Sequence, residues 1–359
     1  MSRDSKEQGQ QLAHCKPSDG SEPAFPNHQS PITNHGLTEF TLIDHIARRT
    51  RARGDVALGI GDDAALLQPP PGQQLAVTAD TLNAGVHFPS ETLPADIGWK
   101  ALAVNLSDLA AMGATPLWCT LSLSLPQADA GWLEGFTDGF FALADASGIA
   151  LIGGDTTRGP LSLSITAMGA VPVAQALRRD GARVGDDIWI SGTPGEAAGA
   201  LHLWQQGVLD VRVPATDASH ETLRQRLQRP TPRLQLGLAL RDVATAAADV
   251  SDGLLADLGH IAARSGVGAA VQAADLPLSP ALCNALGLGA ARDCALRGGD
   301  DYELCFTAAP QQRNALHALS SQLALPLTRI GHIIEGAGVR CEGDADSAQA
   351  AGYSHFAAQ

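Results

Sequence analysis

The chain has 359 residues, 45% of them hydrophobic, and a formal net charge of −14, so it is long enough for two domains with substantial cores. The acidic balance argues against a nucleic-acid partner, because phosphate backbones favour surfaces rich in Lys and Arg. Only three of the 24 basic residues are Lys (Lys6, Lys16 and Lys100), which excludes a Gly-x-x-x-x-Gly-Lys phosphate loop in the folded part.

The first 36 residues are rich in Gln, Ser, Pro, Asn and His and poor in apolar residues. This composition predicts a disordered N-terminal tail, because it cannot bury enough surface to offset the entropy of ordering. The chain shows neither a secretory leader nor an apolar run of about 20 residues, and its six cysteines form no close-spaced pairs. We therefore expect a cytoplasmic protein with reduced thiols and no membrane span.

The first predicted domain covers residues 37–172. Its expected elements are a helix at 37–46, a hairpin of strands 64–68 and 75–79, a helix at 96–112, a strand at 117–125, a helix at 132–147, and strands at 149–152 and 161–168. Asp96 is expected to cap its helix, and residues 153–155 to form a turn after their strand.

The second predicted domain covers residues 173–359. Its expected elements are a strand at 187–191, a helix to about 206, an excursion at 211–232 that contains a helix, a helix at 233–247, a helix from Asp252, and strands at 268–272, 302–307 and 328–334. The order of the elements predicts an α/β (α+β) protein without a tandem repeat.

Acidic residues recur beside glycines in four segments, GIGDD at 59–63, GGD at 153–155, DVSDG at 249–253 and GGDD at 298–301. Carboxylates that converge on one cleft repel each other by about 4 kcal/mol per pair at about 4 Å and an effective dielectric of about 20. Mg²⁺ bound to a polyphosphate compensates such a cluster. The pattern indicates ATP-dependent phosphoryl transfer, although Gly, Asp and Thr are also ordinary turn residues.

Several residues within and beyond these segments carry more specific expectations. Asp108 lies near the C-terminal end of its helix, where the dipole disfavours an anion, so either a cation or an ion pair should compensate it. Hairpin pairing would bring Asp80 close to Asp62 and Asp63. Ser251 is expected to cap a helix whose N–H groups attract phosphate.

Five segments, at 59–67, 100–113, 151–159, 249–259 and 298–306, together resemble the thiamine-monophosphate kinase family of the aminoimidazole ribonucleotide synthetase-like superfamily. The resemblance covers about residues 38–356. It implies a two-domain fold whose N-terminal mixed-sheet domain forms a homodimer and whose C-terminal domain is α/β. It also implies ATP-dependent phosphorylation of thiamine phosphate to thiamine diphosphate, with several Mg²⁺ ions.

The resemblance assigns roles to positions in this chain. The implied metal ligands are Asp63, Thr78, Ala79, Asp80, Asp108, Asp155, Asp249 and Asp252. The implied ATP contacts are Gly154, Asp155, Arg179 and Ser251, and the implied thiamine phosphate contacts are His87, Asp300 and Tyr353. The chain departs from the family pattern at Asp300, where Glu is frequent, and at Ala79, where Ser or Thr is frequent, so Ala79 would offer only its carbonyl.

Two other interpretations remain at this stage. One is a different ATP-dependent enzyme of the superfamily, such as aminoimidazole ribonucleotide synthetase or selenide water dikinase. The second of these would require a reactive Cys in an N-terminal glycine-rich loop, and Cys15 lies in no such loop. The other interpretation is a binding module that responds to nucleotide and Mg²⁺ without turnover.

Overall fold

The computed structural model describes residues 39–343. The N-terminal half contains, in chain order, α1 (Glu39–Ala47), β1 (Val56–Leu58), β2 (Leu66–Leu67), β3 (Gln73–Asn83), α2 (Pro94–Ala111), β4 (Thr115–Leu125), α3 (Ala130–Ser147), β5 (Ala150–Arg158) and β6 (Ser162–Pro172). The predicted tail and Tyr353 lie outside the described residues. No helix within 39–343 is long and apolar enough to cross a membrane.

A mixed four-stranded sheet in the order β3-β6-β4-β5 forms the centre of the N-terminal half. Helix α2 packs on β3 and β6, and α3 packs on α2 and β5. Because side chains alternate along a strand, Asp80 points to the helix-covered face, whereas Leu75 and Val77 lie on the opposite, exposed face. We call this second surface the open face; it also carries Ser122 of β4.

The C-terminal half contains β7 (Asp187–Ser191), α4 (Glu196–Gln205), α5 (Ala218–Gln228), α6 (Leu234–Ala239), β8 (Ala246–Asp249), α7 (Leu254–Ser265), β9 (Gly268–Gln272), α8 (Pro280–Arg297), β10 (Leu304–Ala308), α9 (Arg313–Leu323), β11 (Leu327–Ile334) and β12 (Gly338–Glu342). Its six strands pair in the order β12-β9-β11-β7-β10-β8. Only the β12-β9 pair of this sheet is parallel. The α/β (α+β) class predicted from the sequence is confirmed.

Strands β7, β8 and β10 of the second sheet are buried on both faces, and β9 is buried except at its last residue. Ile188 and Ile190 of β7 pack in one apolar cluster with α7, whereas Trp189 packs in another with Phe306 and Leu316. Strands covered on both faces read as continuous apolar runs, which explains why β7 and β9 could be predicted with their observed limits.

Helix α2 is common to the two halves. Its middle part packs in the core of the first half, while Ala110 and Ala111 at its end pack with Leu236 and Leu240 of the second half. Gly237 makes this close approach possible, since a Cβ there would lie 2.0 Å from the carbonyl oxygen of Ala110.

The predicted hairpin of strands 64–68 and 75–79 is wrong. Strand β2 pairs with β1, whereas β3 pairs along its whole length with β6. The three prolines at 69–71 lack the N–H groups that a continuing ladder would need, and β6 offers an eleven-residue partner. Asp80 is therefore a mid-strand residue rather than the end of a hairpin strand.

Three further local expectations are also wrong. Helix α2 begins at Pro94, and the Asp96 carboxylate makes no cap but accepts from Arg229 Nε at 2.5 Å. Residues 153–155 are part of β5, because pairing with β4 carries the strand through both glycines. The helix expected at 233–247 stops at Ala239, and the Ala-rich run that follows forms β8 beside β10.

Candidate active site between the two halves

A cavity of about 580 Å³ lies between the two halves of the molecule. It is lined by residues of β3 and α2 from the first half and by residues of α4, the β8–α7 connection and residues 299–302 from the second half. Eight of the predicted site residues line it: Ala79, Asp80, His87, Asp108, Asp249, Ser251, Asp252 and Asp300. These positions come from five separate segments of the sequence.

A second cavity, of about 290 Å³, adjoins the first and shares Asp108 and Asp249 with it. It is also lined by Thr78 and Arg179. Asp108 connects residues of the two cavities, because its carboxylate accepts a hydrogen bond from the Thr78 hydroxyl and also contacts Asp80.

Nearby cationic groups only partly neutralise the carboxylates of Asp80, Asp108 and Asp249. Burial and the Asp108 charge raise the pKa of Asp249 to about 7, although the Ser107 hydroxyl donates to it at 2.7 Å. Burial and the same Asp108 charge raise the pKa of Asp80 to about 6. Burial raises the pKa of Asp108 as well, opposed by the Thr78 hydrogen bond and by Arg179. The cluster is electrostatically suited to receive a cation.

Within residues 39–343, no three His, Cys, Asp or Glu side chains form a group that could hold a metal ion. The oxygens of the three carboxylates are partly engaged with Thr78 and Ser107 and with each other. Because repulsion keeps carboxylates apart, an ion here would need oxygens from a ligand or a change in side-chain position.

The segment 251–253 is held by a residue that sequence reasoning missed. Asp257 Oδ2 accepts the backbone N–H groups of Ser251, Asp252 and Gly253 at 3.1, 3.1 and 3.2 Å. The N-cap of α7 is Gly253, so the expectation that Ser251 caps the helix is wrong. Since Asp257 engages these N–H groups, the segment offers a ligand mainly its side chains.

Two predicted ligand positions lie away from the two cavities. Gly154 and Asp155 line a small cavity of about 60 Å³ with residues of α1. Asp155 is exposed and pairs in register with Ser122, whereas Gly154 is in register with Leu121 on the covered face. Strand alternation therefore places Asp155 on the other face of the sheet from Asp80.

Asp63 also lies away from the two cavities between the halves. It is exposed in the connection between β1 and β2, and its N–H donates to the Asp62 carboxylate at 2.9 Å. It lines neither of the two cavities between the halves.

The segment 300–303 is the second part of the site that sequence reasoning described incompletely. Asp300 accepts from Lys100 Nζ at 2.9 Å and from the Tyr302 hydroxyl at 2.9 Å. Glu303 is buried and accepts from Ser191, Arg226 and Arg233. Lys100 and Tyr302 lie within segments that carry the family resemblance, but no local pattern pointed to their pairing with Asp300.

The two halves match two family models in the same order. The N-terminal domain of AIR synthase related proteins matches residues 61–171, and the C-terminal domain of the same proteins matches residues 183–344. A cleft of acidic residues between two such domains places the molecule in the class of AIR synthase related proteins.

Curated relatives and solved structures narrow the class. The chain is 50% identical to thiamine-monophosphate kinase of Salmonella typhimurium, over 89% of this chain and 98% of that protein. A crystal structure of thiamine-monophosphate kinase from Stenotrophomonas maltophilia is 68% identical, with a TM-score of 0.82 over 87% of this chain and 98% of that one. AaThiL, in complex with AMPPCP and TMP, is 32% identical, with a TM-score of 0.71 over 89% and 97%. The chain therefore belongs to the thiamine-monophosphate kinase family, and it is an enzyme.

Proposed function

We propose that the protein transfers the γ-phosphoryl group of ATP to thiamine phosphate and so makes thiamine diphosphate, the last step in the synthesis of that cofactor. The observation that carries the proposal is the convergence of Asp80, Asp108 and Asp249 on a cleft between the two halves. The complex of AaThiL with AMPPCP, an ATP analogue, and TMP supports the choice of both substrates.

The donor set of the cleft fits Mg²⁺. Its side chains offer carboxylate and hydroxyl oxygens, which are the ligands of a hard cation, and burial together with the Asp108 charge raises the pKa values of Asp80 and Asp249. Bound Mg²⁺ would supply positive charge that offsets the repulsion between the phosphate groups. The residues of the two cavities proposed to hold several such ions are Thr78, Ala79, Asp80, Asp108, Asp249 and Asp252. Asp63 and Asp155, which the resemblance also assigns to the metals, lie outside these cavities.

Other side chains of the cleft would bind the substrates. Arg179 lies beside Asp108 and Asp249 and would contact ATP together with Ser251. Gly154 and Asp155, which the resemblance also assigns to ATP, lie outside the cleft. His87 accepts the N–H of Asn83 at its Nδ1 and lines the larger cavity. We assign His87 and Asp300 to thiamine phosphate, and Tyr353 with them.

The chemistry requires no general base. The terminal oxygens of thiamine phosphate are already anionic near neutral pH, so the residues of the cleft need only bring two polyanions into line and shield their charge. We therefore expect direct transfer from ATP to the acceptor phosphate. Detection of a phosphorylated residue during turnover, by mass spectrometry of quenched enzyme, would contradict this expectation.

We also propose a homodimer that covers the open face of the first sheet. On edge strand β3, Leu75 is 44% exposed and Val77 is 62% exposed, and an unpaired edge with apolar side chains favours association. Val77→Glu should shift the mass measured by light scattering from dimer to monomer, whereas Val184→Glu, at a similarly exposed site outside this sheet, should not. A monomeric wild-type protein would refute the proposal.

The activity is tested by release of ADP from ATP and Mg²⁺ with thiamine phosphate, thiamine or an aminoimidazole precursor as the acceptor. We expect turnover with thiamine phosphate alone and a product that co-elutes with thiamine diphosphate. Turnover with an aminoimidazole precursor would indicate another enzyme of the superfamily, and binding of ATP without turnover of any acceptor would indicate a binding module. A cytoplasmic location accords with the buried thiols of Cys119 and Cys305.

A further inference from the structure

Lys100 is a buried lysine whose ammonium group crosses from one half of the molecule to the other. Its residue is 2% exposed in the middle of α2, and Nζ donates to Asp300 Oδ2 at 2.9 Å across 200 positions of sequence. Burial of an ammonium group is costly unless it is paired. The other two lysines of the chain, at positions 6 and 16, precede the described residues. The burial of the Lys100 ammonium group beside the cleft, in spite of this cost, indicates a functional role.

Asp300 is held at both carboxylate oxygens. Lys100 engages Oδ2, and the Tyr302 hydroxyl donates to Oδ1 at 2.9 Å. Asp300 and Tyr302 have φ values of 68° and 53°, a left-handed conformation that costs non-glycine residues about 1–3 kcal/mol each and is maintained only by surrounding contacts. Asp301, which accepts the N–H of Gly195 at 2.6 Å, and Glu303 supply two such contacts.

The Asp300 carboxylate can still accept hydrogen bonds from a ligand in the cleft. An ionised carboxylate offers about four lone-pair positions, and the contacts to Lys100 and Tyr302 use two of them. The Asp300 side chain is 31% exposed and lines the cavity with His87. The ammonium group also offsets the charge of Asp300, so the remaining lone pairs act as a fixed hydrogen-bond acceptor in a neutral pair.

We propose that Lys100 is a positioning residue for the acceptor substrate: it fixes the Asp300 carboxylate so that its remaining lone pairs accept an N–H donor of the thiamine phosphate ring system. This inference rests on the proposed function, because it takes thiamine phosphate as the acceptor. Lys100 acts through Asp300. Loss of its ammonium group should weaken binding of the acceptor and leave ATP binding intact.

The test compares Lys100→Met with Asp96→Asn in the full chain. Both changes remove an ion pair between α2 and the second half, but the Asp96–Arg229 pair lies outside the cavity. With ATP and Mg²⁺ saturating, Lys100→Met should raise KM for thiamine phosphate by about tenfold or more, which corresponds to the loss of one charged hydrogen bond. With thiamine phosphate saturating, KM for ATP should change by less than about twofold. Asp96→Asn should change neither KM, even where both variants melt at a lower temperature.

Further variants test the inference even if Lys100→Met does not fold, and show whether Lys100 acts through Asp300. Lys100→Gln retains a donor without charge and should give a smaller rise in KM for thiamine phosphate, so it replaces Lys100→Met if that protein does not fold. In a cycle with Asp300→Asn, the double variant should match Asp300→Asn alone within about twofold, because residues that act through one contact are not additive.

The inference is overturned if KM for thiamine phosphate is unchanged in Lys100→Met, or if the effects of Lys100→Met and Asp300→Asn multiply. A rise of equal size in Asp96→Asn would also overturn it, since the effect would then arise from loosening of the two halves. Failure of the wild-type enzyme to use thiamine phosphate would instead refute the proposed function.

Discussion

Replacement of Asp249 by Asn should make the metal-free protein more stable while it abolishes activity. Asp249 is 2% exposed, and burial together with the Asp108 charge raises its pKa from 3.8 to about 7. The difference between these two pKa values means that above pH 7 the ionised group costs the folded state about 4 kcal/mol. Asn removes this cost and keeps an oxygen for the Ser107 hydroxyl.

The sign of the pH dependence follows from the raised pKa. The stability associated with a protonated Asp249 is fully present below its unfolded-state pKa of 3.8 and is lost as the pH rises to about 7. The advantage of Asp249→Asn should therefore be about 4 kcal/mol at pH 8 and only about 2 kcal/mol at pH 5. Urea unfolding in EDTA at the two pH values measures both differences.

Asp187 provides the matched control, because it is equally buried but paired. Its carboxylate accepts from Arg313 at 2.6 and 2.7 Å and lies 3.6 Å from Arg329. Asp187→Asn should lower the free energy of unfolding by about 1–3 kcal/mol, since it weakens charged hydrogen bonds. If Asp249→Asn also destabilises the metal-free protein at pH 8, Asp249 is compensated in a way that our reasoning does not include, and the electrostatic account of the cleft is refuted.

Alanine at two neighbouring glycines should affect the melting temperature very differently. Gly154→Ala would place a Cβ 1.8 Å from the Leu121 carbonyl oxygen, so it should lower the melting temperature by many degrees or prevent folding. The Cβ of Gly153→Ala would meet nothing within 4 Å, so this variant should melt near the wild type. Equal melting temperatures in a thermal scan would show that β5 does not approach β4 as described. Asp257→Ala should raise KM for ATP by about tenfold or more, while KM for thiamine phosphate changes less. The reason is that the backbone N–H groups of residues 251–253 lose the carboxylate that accepts from them. An unchanged KM for ATP in the ADP-release assay would exclude a role of Asp257 in positioning this segment.

The acidic cleft was predictable because its residues carry local signals. The acidic residues beside glycines predicted carboxylates that converge on one cleft, and the position of Asp108 near the end of its helix predicted a compensating cation or ion pair; the structure places Asp80, Asp108 and Asp249 on one cavity. The failed hairpin did not affect this outcome, because β3 reaches the cleft through pairing with β6 instead.

Other parts depend on contacts between distant residues and left no local pattern. The strand through Gly153 and Gly154 is fixed by its pairing with β4, and this pairing turns Asp155 to the opposite face of the sheet. The pairing of Lys100 with Asp300 joins α2 to a loop 200 positions away. Helix α8 and strand β12 were not predicted, since α8 contains a non-helical Gly287 and β12 is short. Helix α9 was not predicted either.

Helix α2 has a consequence for how the molecule can be divided. The family models meet between residues 171 and 183, which invites expression of either part as a separate fragment. Yet Ala110 and Ala111 are buried against the later part, and Trp99 donates its indole N–H to the Pro230 carbonyl oxygen at 2.9 Å. A fragment cut at that junction would leave these groups in water, so the two modules should unfold as one cooperative unit.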